Sequence, residues 1–168
     1  MKVEIKSNNN WLEVKQLAFR TIGKETELEP TSEWKTRILL SQHSPIRSLV
    51  LTITMKDIPY WISVHLSRHK YGCEHYVRSQ RTDRTGIERD ELPQGALVSH
   101  TIVANAESLI NISRKRLCRQ ASKETRELWE EVVKQITLVE PELGNILVPD
   151  CVYKNGLCTE FKPCKRNK

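Results

Sequence analysis

Arg68, His69 and Lys70 stand side by side directly after an apolar stretch that begins at Trp61. Crowding three cationic or titratable groups is costly unless an anion or an acid neutralises them. Phosphate is the usual partner, because Arg grips it through a planar fork and Lys as a point charge. Ser79 and Arg81 follow closely enough to turn back onto the same anion. The bland alternative is a solvated helix C-terminus, where positive charge is favoured in any case. His43, in His43-Ser44-Pro45 just before an apolar alternating run, is of the type that acts as a catalytic group or ligand, or that caps and packs. Cys118, Cys151, Cys158 and Cys164 supply four thiolates, enough for a tetrahedral zinc site. Their spacing in the tail, Cys-x6-Cys-x5-Cys, is looser than a zinc knuckle. Tyr60, Trp61, Tyr71 and Tyr76 gather about the basic stretch and could stack on a base or a flavin ring, or fill the core.

The elements that would position these groups are readable from periodicity. Trp11 to Ile22 and Ser32 to Leu40 carry helical spacing, the second with Thr31 or Ser32 as N-cap after Pro30. Leu49 to Met55 alternates apolar and polar residues and is rich in β-branched types, so it predicts a strand, which Pro59 breaks. Trp61 to His69 predicts a short helix ending at the basic triplet. Gly72 to Arg81 reads as irregular or extended, and Thr82 to Gly95 as a polar loop. Ile102, Ala106, Leu109, Ile110, Ser113 and Leu117 form one helical stripe. Ala121, Thr125, Leu128, Trp129, Val132, Val133 and Ile136 form a second, ended by Pro141. These elements predict an α+β domain, a single one spanning residues 1–168, with a Cys-containing tail from about residue 149.

Composition narrows the function classes. The chain has 168 residues, 27 Lys and Arg against 21 Asp and Glu, and a formal charge of +6. That surplus suits anionic ligands without choosing among them. With 38% hydrophobic and 29% charged residues the chain is expected to fold, and no apolar run approaches a bilayer span. The first residues lack an apolar signal region, so a cytoplasmic protein with reduced thiols is expected. Six Lys or Arg lie between Arg68 and Arg89, and Arg114, Lys115 and Arg116 form a second cluster. Four acids dilute the first group, and aromatic content is only 6%. A zinc-stapled nucleic-acid-binding module is therefore the second alternative, and nucleic acid is not an expected partner.

The order of the pieces resembles the flavin-dependent thymidylate synthase (ThyX) family. His43-Ser44-Pro45, the strand, Pro59, Arg68-His69-Lys70, then Ser79 and Arg81 is similar to that family's His before a strand, Arg-His-Arg motif and following Ser and Arg. Asn105-Ala106-Glu107-Ser108-Leu109 through Arg116 is similar to its Asn-Leu-Arg-Ser-Leu helix, and the tail from Pro149 to Cys164 to a Cys-bearing tail of some members. The likeness runs from about Ser32 to Cys164.

The resemblance implies an α+β fold with an antiparallel sheet and flanking helices, a homotetramer, and FAD fed by NADPH. The implied reaction moves a methylene group from methylenetetrahydrofolate to dUMP or a related pyrimidine nucleotide. It implies that Arg68, His69, Lys70, His43 and Asn105 meet FAD, and that Ser79, Arg81, Glu107 and Arg116 lie at the nucleotide. The sequence departs from the family at three of these places. Lys70 replaces an Arg, and one extra residue separates Lys70 from Ser79. Glu107 stands where the family has the Arg that contacts the uracil. A catalytically degenerate nucleotide- or flavin-binding oligomer of the same fold is the alternative these departures raise.

Overall fold

The computed structural model describes residues 1–164. Four strands form one antiparallel sheet in the order β1-β2-β4-β3. They are β1 (Lys2–Ser7), β2 (Val50–Pro59), β3 (Cys73–Val77) and β4 (Leu97–Asn105). The two long central strands pair from Val50 opposite Asn105 to Pro59 opposite Leu97. Burial alternates along both: Leu51, Ile53 and Met55 on β2, and Val98, His100, Ile102 and Ala104 on β4, are buried. Their neighbours Thr52, Thr54, Ser99 and Thr101 lie on the half-exposed opposite face. This one-sided burial fixes the register, because a slip of one residue would turn every apolar side chain to water.

Helices cover the apolar face. These are α1 (Trp11–Arg20), α2 (Ser32–Leu40), α3 (Tyr60–Leu66), α5 (Ala106–Arg116) and α6 (Lys123–Val139). Shorter turns are α4 (Thr82–Thr85), α7 (Pro141–Gly144) and α8 (Asp150–Tyr153). In the long α6, Leu128, Trp129, Val132 and Ile136 recur at helical spacing, and all are fully buried. The helix packs against β1 and α5, while α3 packs on β2 and β4. Trp129 sits in the core and donates its indole N–H to Ser113 Oγ at 2.8 Å, so neither buried polar group is orphaned. No helix among the described residues is long and apolar enough to cross a membrane.

Three expectations from periodicity change. The stripe from Ile102 to Leu117 divides: residues through Asn105 are strand, and the helix begins at Ala106. Ile102 and Ala106 satisfy a helical spacing, but Val98, Thr101, Ile102 and Val103 are β-formers with β2 beside them, and pairing wins. β1 is an additional strand, built on the alternation of Val3 and Ile5 with Lys2, Glu4 and Lys6. The expected loop from Thr82 to Gly95 contains α4 and a 3-10 turn at Arg89–Glu91. The two early helices form as expected, α2 with Thr31 Oγ1 accepting from the Trp34 N–H at 3.2 Å.

A β-bulge between Met55 and Ile58, with Asp57 at φ 57, turns β2 toward α3. Helix α3 has no side-chain cap. Instead the Tyr60 and Trp61 N–H groups donate to the Ala96 and Gln94 carbonyls at 2.9 and 3.2 Å. The bulge and these bonds fix where α3 ends, and therefore where the basic triplet stands.

Candidate functional site

The triplet forms a cationic corner beyond the C-terminus of α3. Arg68 and Lys70 are exposed and His69 is half-buried. Arg116, from the last turn of α5, reaches in and donates its Nε–H to His69 Nε2 at 2.9 Å and an Nη2–H to the His65 carbonyl at 2.5 Å. A guanidinium can only donate, so His69 Nε2 accepts and its proton lies on Nδ1. Burial, then the Arg116 charge and His75, hold the His69 pKa down at about 4. Burial, and then Arg68, pull the Arg116 pKa below its usual value. Arg68, Lys70 and Arg116 have no carboxylate partner among the described residues. Like charges held together without a counter-charge raise the affinity of the spot for an anion.

Behind the corner lies a histidine relay that the sequence reading passed over. His75, on β3, donates from Nε2 to the His69 carbonyl at 2.6 Å, and its Nδ1 meets His100 Nε2 on β4 at 3.0 Å. With one proton on His75, His100 Nε2–H is the donor and His100 Nδ1 is bare. That Nδ1 is buried without a partner. Burial and, after it, His75 lower the His100 pKa to about 4. Cys73 Sγ adds a second contact to the His69 carbonyl at 3.1 Å. The signal that could have found the pair is the period of two: Cys73 and His75 lie on the core-side positions of β3. His75 is opposite Ile102, which makes His100 its diagonal neighbour.

The turn that carries the corner is held at one end by α5 and at the other by Asn105, the last residue of β4 and the N-cap of α5. At one end His69 meets Arg116. At the other, the Asn105 N–H donates to the Gly72 carbonyl at 2.9 Å. Gly72 has φ +68, and a Cβ there would lie 2.6 Å from Asn105 Nδ2. Asn105 Oδ1 also caps α5 by accepting from the Ser108 N–H at 2.8 Å. Asn105 is thus a structural clamp of the site, with its oxygen already engaged.

The remaining expected residues lie elsewhere. Arg81 is exposed and forms a two-pronged pair with Asp83, at 2.9 and 3.0 Å. Ser79 Oγ accepts from the Arg81 N–H at 3.3 Å. No bond joins either to the basic triplet among the described residues. Glu107, in the first turn of α5, pairs with Arg47 through contacts of 2.7 and 3.2 Å. His43 is exposed at the start of the 3-10 turn Ser44–Ser48, and its side chain caps nothing. The expected thiolate quartet does not gather: no three His, Cys, Asp or Glu side chains among the described residues come together as a metal site. Cys118 and Cys151 are buried, Cys158 and Cys164 half-buried, and all are free thiols. The tail is held instead by polar contacts, since Asp150 accepts from Arg114, Lys154 and Thr159. Gln120 also donates to the Lys162 carbonyl. Beside the corner, a cavity of about 290 Å³ is lined by His69, Lys115, Arg116, Cys118, Gln120 and Glu160.

No family model and no curated protein matches the sequence. The solved structures do contain the fold. The UMP/dUMP methylase PolB from Streptomyces cacaoi, in its crystal structure bound with 5-Br dUMP, matches with a TM-score of 0.65. The match covers 86% of this chain and 94% of that one at 14% sequence identity. The chain therefore has the α+β fold of that methylase, with the antiparallel sheet and flanking helices the sequence predicts.

Proposed function

We propose that the protein binds a pyrimidine nucleotide and methylates its base, in the manner of flavin-dependent thymidylate synthases. In this reading dUMP, or a close relative, is the substrate. FAD is the bound cofactor, NADPH and methylenetetrahydrofolate are co-substrates, and the protein is a cytoplasmic homotetramer. The observation that carries the reading is the uncompensated cationic corner of Arg68, Lys70 and Arg116, on a fold shared with a UMP/dUMP methylase. The corner suits a pyrophosphate: it combines two exposed cations with a half-buried one, and no acid among the described residues neutralises them. FAD held there would supply the reducing equivalents that turn a transferred methylene group into a methyl group. The chain's own part is positional. Arg68 and Lys70 neutralise phosphate oxygens. His69, neutral at pH 7 with Nε2 already taken by Arg116, offers an anion its Nδ1–H. Arg116 fixes the His69 ring and the end of α3 together.

Calorimetry with FAD, dUMP, UMP and dCMP tests the reading, alongside the visible spectrum of the purified protein. Saturable dUMP binding and a flavin band at roughly 450 nm are expected, with flavin retention lost in Arg68→Ala. A protein that binds none of the four ligands refutes it. A second reading, nucleotide binding without turnover, is favoured by Glu107. That carboxylate pairs with Arg47 at the position where the resembled family uses an Arg against the uracil. Binding of dUMP with no tritium release from [5-³H]dUMP would select it.

A further inference from the structure

We propose that Tyr71 is a stacking platform for the planar heterocycle of a ligand whose phosphates sit on Arg68 and Lys70. The inference rests on the nucleotide-binding reading above and adds to it a residue that selects for the ring. Tyr71 is 94% exposed. Phenol rings are ordinarily mostly covered, so near-total exposure calls for a reason. Mobility of the turn does not supply one. The His69 carbonyl is clamped by His75 and Cys73, the His69 ring by Arg116, and Gly72 by Asn105. Only Lys70 and Tyr71 lie between the clamped residues, and neither side chain has a partner among the described residues.

A cation and an aromatic ring on successive residues of a braced turn, Lys70 and Tyr71, with Arg68 two residues before the lysine, meet two parts of one molecule at once. The cations meet the anion and the ring meets a π-face, without ordering cost at the turn. Base-on-aromatic stacking of this kind accepts any flat heterocycle. The ring is supplied either by FAD or by the pyrimidine of the nucleotide. The shared chemistry is a heterocycle joined to phosphate, and the arms of the test separate the two sources. Tyr76 is the natural control. It is also well exposed, at 61%, but it lies on strand β3, on the face opposite Cys73 and His75, which clamp the turn.

The test is calorimetry of wild type, Tyr71→Ala, Tyr71→Phe and Tyr76→Ala with FAD, dUMP and inorganic pyrophosphate. Tyr71→Ala is expected to weaken FAD or dUMP by about 5- to 100-fold and to leave pyrophosphate within about twofold. Whichever of the two organic ligands loses affinity is the one whose ring Tyr71 holds. Tyr71→Phe restores the affinity, since it keeps the π-face, and Tyr76→Ala changes nothing. Undiminished binding of both organic ligands by Tyr71→Ala overturns the stacking role and leaves the nucleotide reading standing. An equal loss for pyrophosphate also overturns it, by showing that the residue only shapes the turn. Wild type that binds none of the three ligands removes both.

Discussion

Lowering the pH from 7.5 to 5 should weaken the fold through His100, and the size of the effect can be worked from its surroundings. His100 is fully buried, and burial with His75 beside it holds its pKa at about 4, against 6.5 for the free side chain. Between those values the unfolded chain binds a proton that the folded chain refuses, so stability falls as pH falls. The loss begins near pH 6.5 and is complete below about 4. One pKa unit corresponds to about 1.4 kcal/mol, so at pH 5 His100 alone costs about 2 kcal/mol. For a chain of this length that is a fall in Tm of roughly 4–8 °C. His69 shares the direction and adds a smaller amount, because water reaches its ring. The diagnostic variant is His100→Gln, whose side-chain amide keeps a donor toward His75 Nδ1 but cannot titrate. Urea unfolding at pH 7.5, 6.5 and 5 should show the pH-dependent loss shrinking by about 2 kcal/mol in the variant, whatever its absolute stability. A variant with the same slope as wild type would refute the assignment of the proton to His100.

Other consequences follow from single contacts. Asp150→Asn removes the charge that Arg114, Lys154 and Thr159 share; breaking so buried an ion pair should cost about 3–5 kcal/mol in chemical unfolding. Because the Asp150 pKa is held at about 2, below its ordinary 3.8, its contribution should disappear only below pH 4, separately from the histidine limb. Gly72→Ala should lower stability by more than about 1 kcal/mol, since it combines a positive φ with a Cβ contact on Asn105. Gly86→Ala, with a similar φ but nothing nearby, should cost less, and the difference in Tm isolates the contact. Trp129→Phe leaves the buried Ser113 hydroxyl without its donor and should cost about 1–3 kcal/mol by urea unfolding.

Periodicity disclosed those parts of the fold where local preference and tertiary contact agree. β2 combines β-branched residues with one-sided burial, and α6 has a wide apolar face, so each is visible in the sequence alone. β4 was hidden because His100 occupies a core position that a hydrophobic pattern needs filled by an apolar residue, and because Ile102 and Ala106 bridge the strand–helix boundary at helical spacing. The basic triplet was visible as charge. Its being left uncompensated was not, since that depends on where every acid of the chain finishes. Arg81 shows the same limit from the other side: its charge was plain, and its neutralisation by Asp83 two residues on needed the turn to be seen. His75 and Arg116 bond to groups 6 and 47 residues away in sequence, which no local pattern encodes.

The sign of Glu107 can be turned into a test of where the pyrimidine lies. The clamped turn runs along α5, from Arg116 at its C-terminal end to Asn105 at its N-terminus. If a ligand seated on Arg68 and Lys70 extends its base past Gly72 toward Asn105, the base meets the first turn of α5, where Glu107 and Arg47 pair. Arg47 is 58% exposed at its side chain, so water screens the pair and either partner can be removed with the fold intact. In the paired state the Arg47 guanidinium bonds both Glu107 oxygens and offsets their charge, so the carboxylate is a weaker acceptor toward a base. Glu107→Gln releases a guanidinium beside the helix N-terminus, and the added positive charge should favour a uracil carbonyl, raising dUMP affinity about two- to threefold at low salt. Arg47→Ala releases the carboxylate, whose free oxygens accept from a cytosine amino group and oppose a uracil carbonyl, so dCMP should gain on dUMP. The two variants move the ratio of dCMP to dUMP affinities in opposite directions if the base rests at this end of α5. A ratio unchanged by both places the base elsewhere, and detaches Glu107 from substrate choice.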